Sequence, residues 1–110
     1  MAQSTPVIVV AALVPVPGRE DEVQAALTSA VTATHEQDAG CELYAAHRVT
    51  RGRPGFVVLE KWADAAALGA HGAGQAFAGL SQALDGLLAE PLDVTLLEPL
   101  PAGTPGQGQL

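Results

Sequence analysis

The chain has 110 residues, 48% of them hydrophobic, and carries 12 acids against 5 bases for a formal net charge of -7. That length suits one domain with a core large enough to fold without disulfides or metal. The acidic balance argues against nucleic acid and anionic membrane as partners, because both call for clustered Lys and Arg.

Met1 to Pro6 lacks the basic stretch of a signal peptide, and the apolar run from Val7 to Val14 is too short to span a bilayer. The run is β-branched and nearly unbroken in apolar character. It predicts a strand in the middle of a sheet, covered on both faces and ended by Pro15, Pro17 and Gly18.

From Arg19, the acids Glu20, Asp21 and Glu22 open a helix at the end where negative charge is favoured. Val23, Ala26, Leu27, Ala30, Val31 and Thr34 follow at three- and four-residue spacing. They make one apolar stripe on a helix that ends near Gln37, with Gly40 as a stop.

Cys41 to Val49 alternates in period two, with Leu43, Ala45, His47 and Val49 on one face and Tyr44, Ala46 and Arg48 on the other. Thr50 to Gly55 turns the chain. Arg48, Arg51 and Arg53, the only local group of bases, belong to this solvated hairpin loop. Phe56 to Trp62 is the partner strand, Phe56, Val58, Glu60 and Trp62 on one face and Val57, Leu59 and Lys61 on the other.

Asp64 caps a short helix through Leu68 to His71, which glycines at 69, 72 and 74 break before a longer one. The longer helix carries Phe77, Leu80, Leu84, Leu87 and Leu88 on one stripe and stops before Pro91. A last strand runs from Leu92 to Leu100, and residues 101–110, rich in Gly, Pro and Gln, form a flexible tail behind a single domain of residues 1–100.

The order strand, helix, strand, strand, broken helix, strand is that of an α+β, ferredoxin-like βαββαβ fold, a four-stranded antiparallel sheet with helices on one face. The other face also needs cover. The first strand is apolar on both sides, and Val57, Leu59, Val94 and Leu96 add to the bare face, so a second copy of the chain is the simplest cover and a homodimer is expected.

Four stretches occur together: Pro17-Gly18-Arg19-Glu20 opening the first helix, Ala39-Gly40-Cys41-Glu42-Leu43-Tyr44 opening the second strand, Val58-Leu59-Glu60-Lys61-Trp62, and Ala67-Leu68-Gly69-Ala70-His71. Over about residues 6 to 100 the chain resembles the antibiotic biosynthesis monooxygenase superfamily, small dimeric α+β-barrel proteins that include quinol, anthrone and haem-degrading monooxygenases. The resemblance implies a pocket between sheet and helices where O2 oxidises a quinol or an aromatic polyketide-like substrate with no metal, flavin or other cofactor. Such chemistry asks for a dry apolar cavity, a proton acceptor and donors that steady a substrate anion.

On this resemblance His71 is the first candidate for a catalytic group, through a ring that exchanges protons near neutral pH; the alternative is a histidine that caps a helix end. Trp62 lies where family members turn a ring to the pocket, and is equally a core anchor. Glu60 shares its strand face, as a buried base or as a structural hydrogen-bonding partner. Tyr44, Phe77 and Phe56 are candidates for substrate binding, and Phe77 reads as wall. Cys41, the only cysteine, excludes an internal disulfide and a multi-thiolate metal site, fits a reducing cytoplasm, and reads as a small buried hydrophobe.

The sequence contains no asparagine, whereas the haem-degrading and anthrone-oxidising members are associated with one in the site, which weakens a close match to either; haem turnover by an Asn-Trp-His arrangement is not expected. Two other classes stand beside the monooxygenase. One is a non-catalytic, ligand-binding or stress-related dimer, and the other a different reaction, haem handling included, in the same pocket. The monooxygenase reading expects Trp62 and His71 to converge on an enclosed apolar cavity of roughly 300 Å³ or more.

Overall fold

The computed structural model describes residues 5–110, so the first four residues of the Met1–Pro6 stretch read above for a signal peptide lie outside the described ones. Strand β1 (Val7–Leu13) leads into helix α1 (Glu20–Gln37), and the hairpin β2 (Cys41–Arg48) and β3 (Phe56–Trp62) follows. Helices α2 (Ala65–Gly72) and α3 (Gln75–Ala83) come next, and β4 (Asp93–Leu97) is last. The sheet is antiparallel in the order β2-β3-β1-β4, the ferredoxin-like arrangement expected from the order of the elements.

Local chemistry accounts for the helices that carry the site. Helix α1 buries Val23, Leu27, Ala30 and Thr34 along one stripe and keeps Glu20, Asp21 and Glu22 in its first turn. Both carboxylate oxygens of Glu20 accept the Gly18 N–H at 2.9 Å, which stands in for a side-chain cap that Arg19 does not supply. Asp64 does cap α2, its Oδ1 accepting the Ala67 N–H at 2.8 Å.

The strands position the rest. On β3 the alternation is complete: Phe56, Val58, Glu60 and Trp62 are buried beneath the helices, while Val57, Leu59 and Lys61 are half-buried on the opposite face. At the start of β2 a bulge sets Cys41 opposite Trp62 and Leu43 opposite Lys61, so Glu42 is the extra residue and Tyr44 faces Glu60.

Three expectations need correcting. Helix α3 ends at Ala83, not just before Pro91: Gly86 takes a φ of 76°, and backbone groups of Leu87 and Ala89 bond Val16 and Val14 in the loop after β1. The chain from Leu84 to Ala89 is therefore held by β1's exit loop. Strand β4 is shorter than the Leu92–Leu100 reading, running Asp93–Leu97. Its register sets Val94 opposite Ala11 and Leu96 opposite Val9, so both lie on the helix face and not on the bare one. They are exposed there, at 47% and 59%, beyond the cover of the helices. The bare face carries Thr95 and Leu97 from β4, with half-buried Val10, Ala12, Val57 and Leu59 beside them.

After β4 the chain turns at Thr104–Gln107, and Lys61 Nζ donates to the Leu110 carbonyl at 2.9 Å. Among the described residues no helix is long and apolar enough to cross a membrane.

Candidate active site

The site begins with a close approach. A Cβ on Gly40 would stand 2.2 Å from the Ala67 Cβ, so only glycine lets α2 lie against the loop between α1 and β2. The Ala63 N–H donates to the Gly40 carbonyl at 2.9 Å and holds that contact. Asp38, at the C-terminal end of α1, is thereby brought to His71, near the end of α2.

Asp38 Oδ2 and His71 Nδ1 are 2.6 Å apart, with side chains only 12% and 6% exposed. The His71 ring lies at the centre of an aromatic cluster. Trp62 is tilted against it at 4.6 Å between ring centres, Tyr44 at 5.4 Å, and Phe77 meets it edge-on at 5.6 Å.

Beside the ring lies a cavity of about 240 Å³. Val9, Ala11, Val58, Leu68 and Leu80 give it apolar walls, and the Glu60, His71 and Tyr44 side chains supply its titratable groups. Glu60 is buried, and its Oε1 accepts the Trp62 Nε1–H at 2.9 Å. Burial pushes the Glu60 carboxyl above its ordinary value of 4.5, partly offset by the Trp62 donor and the nearby His71 ring. Burial also raises the Tyr44 phenol, with Glu60 adding to the effect, so Tyr44 stays protonated. The Tyr44 hydroxyl lies toward buried Thr34, whose Oγ1 has no well-formed hydrogen bond.

Of the residues singled out from the sequence, His71, Glu60, Tyr44 and Phe77 meet at this cavity. Trp62 does not reach it. Fully buried, it packs behind His71 and spends its N–H on Glu60, so Trp62 and His71 do not jointly wall the space, and the volume is below the roughly 300 Å³ expected. Phe56 lies at the far end of β3, under the Arg48 guanidinium at 5.6 Å, against a separate small depression shared with Gln24. Burial, with Asp38 and Glu60 nearby, raises the Cys41 thiol and makes it a poor nucleophile.

Sequence reasoning missed Asp38. One signal was available: a carboxylate at the C-terminal end of an 18-residue helix opposes the helix dipole and calls for a donor partner. Among the described residues, no group of three or more His, Cys, Asp or Glu side chains is arranged to hold a metal.

The model for the family described as antibiotic biosynthesis monooxygenase matches residues 6–82, from β1 through all but the last residue of α3. The chain belongs to this family. Solved structures agree. The PA3566 protein of Pseudomonas aeruginosa is 28% identical over 91% of this chain and 99% of its own, with a TM-score of 0.79. Rv0793 of Mycobacterium tuberculosis is 27% identical over 91% of this chain and 100% of its own, with a TM-score of 0.80. A structure named antibiotic biosynthesis monooxygenase is 26% identical over 86% of this chain and 99% of its own, at 0.77. A search of curated proteins finds no match. Family membership brings the α+β fold and the general function of the family; activity and substrate have to be argued from the cavity.

Proposed function

We propose that this family member is a cofactor-independent monooxygenase that oxidises a small quinol or aromatic polyketide-like substrate with O2. The observation that carries the reading is the convergence of His71 and the Glu60 carboxyl on an apolar cavity. With Nδ1 engaged by Asp38, the other ring nitrogen of His71 is the one left to meet a substrate.

Triplet O2 reacts slowly with closed-shell molecules and faster with electron-rich anions. His71 takes the proton of a substrate hydroxyl or acidic C–H, and the apolar walls keep the resulting anion from being quenched by water. Glu60, whose carboxyl is pushed above its ordinary value by burial, lines the same cavity as the second titratable group beside the substrate. For an anthrone-type methylene the balance is CH2 plus O2 giving C=O plus H2O. One oxygen atom enters the product and no outside reductant is consumed.

The working form we propose is a homodimer joined through the bare sheet face, supported by the half-buried row of Val10, Ala12, Val57 and Leu59. Its compartment we take to be a reducing cytoplasm, where the single thiol of Cys41 persists.

The test is O2 uptake by metal-stripped protein given a panel of small anthrones and hydroquinones. Uptake well above protein-free autoxidation is expected. If uptake equals the background while ligands still quench Trp62 fluorescence saturably, the protein binds without catalysis and the monooxygenase reading falls.

A further inference from the structure

We infer that Asp38 is a positioning residue that fixes the tautomer of His71, placing the proton on Nδ1 and leaving Nε2 bare toward the cavity. The assignment rests on the proposed proton-accepting role of His71, and goes beyond it by naming the group that makes the ring a base in the required direction.

The groups that face the ring decide this. Asp38 at the end of α1 is the only polar partner of Nδ1 among the described residues. Tyr44 on β2, Trp62 on β3 and Phe77 on α3 present ring surfaces or edges to it. Glu60 on β3 lies close enough for its charge to be felt, and its Oε1 is occupied by Trp62. A neutral imidazole has one donor nitrogen and one acceptor nitrogen, and an ionised carboxylate only accepts. A 2.6 Å contact to the Asp38 carboxylate is therefore a hydrogen bond only when Nδ1 carries the hydrogen, which forces the lone pair onto Nε2.

When the substrate O–H or C–H bond breaks, its proton forms the Nε2–H bond. The imidazolium that results rests against the Asp38 carboxylate, which accepts from Nδ1 before and after the transfer. Lying behind the ring and outside the cavity lining, Asp38 acts through His71 without touching substrate.

The tautomer is read without substrate by two-bond 1H–15N correlation on the labelled full chain, at a pH above imidazole titration. A His71→Gln sample assigns the signal among the three histidines. The expected result is a protonated Nδ1 and a bare Nε2 in the unmodified protein. Asp38→Ala moves the proton to Nε2 and lowers kcat about 100-fold, within the range a general base supplies, with KM changed less than about twofold. Asp64→Ala, which uncaps the helix that carries His71, leaves both readouts as they were. An Nε2–H tautomer in the unmodified protein overturns the assignment, as does an equal loss of kcat in Asp64→Ala, which would make Asp38 a mere anchor of α2. An Nδ1–H signal with no O2 uptake on any substrate contradicts the monooxygenase reading and leaves the Asp38 assignment standing.

Discussion

Two stretches of the same sheet face differ sharply. Along β3 every side chain turned to the helices is buried, the carboxyl of Glu60 among them. On β4, Val94 and Leu96 occupy the same face and are about half exposed. The helices pack over β2 and β3 and stop short of β4, so the cavity is deep and carries its polar groups beside β3, while Leu92 and Val94 form an apolar wall on the β4 side. The contrast teaches that chemistry and fit are separated: the titratable groups sit where water is excluded, and part of the apolar wall sits where the helices give less cover.

The largest way to break that contrast is at its deep end. His71→Ala should lower the rate of O2 uptake by about 10²- to 10⁴-fold, the span general acid–base catalysis covers, measured by initial rates at saturating substrate. Next is Trp62→Ala. It empties the most voluminous fully buried site and should cost about 3–5 kcal/mol in urea unfolding.

A subtler test concerns pH. Glu60 holds its proton more tightly in the folded chain than in the unfolded one, so the folded state binds the extra proton between 4.5 and the raised native value. Stability contributed there is complete below 4.5 and lost as pH rises through the native value. Glu60→Gln should remove that decline, seen as a flatter dependence of the urea midpoint on pH. Smallest is the rim: Leu96→Ala should shift stability by no more than about 0.5 kcal/mol, as for other exposed positions, and a loss near that of Trp62→Ala would erase the distinction between the two stretches.

How far the sequence could be read follows the same division. The alternation from Phe56 to Trp62 revealed which side of β3 meets the helices, and Asp64 marked the start of α2, because both signals are local. Val94 and Leu96 lie on the face opposite to the one expected because an edge strand with apolar residues at neighbouring positions carries no period to read; only its pairing with β1 fixes the side. The leucines past Ala83 continue a helical spacing, and the turn at Gly86 overrides it. Phe56 shares a face with Glu60 but lies four residues along the strand, about 13 Å away at the usual rise, so a common face did not mean a common site. Asp38 and His71 are 33 residues apart, and what joins them is the close approach of Gly40 to Ala67, a tertiary contact without a local signature.

The fate of the oxygen atoms is the most direct test of a cofactor-free monooxygenase. Turnover of a small anthrone under isotopically labelled O2, with metal-stripped protein and with His71→Ala alongside, should give product carrying one labelled oxygen atom at a rate that collapses in the variant. Product without the label, or labelled product formed equally fast without His71, would contradict it.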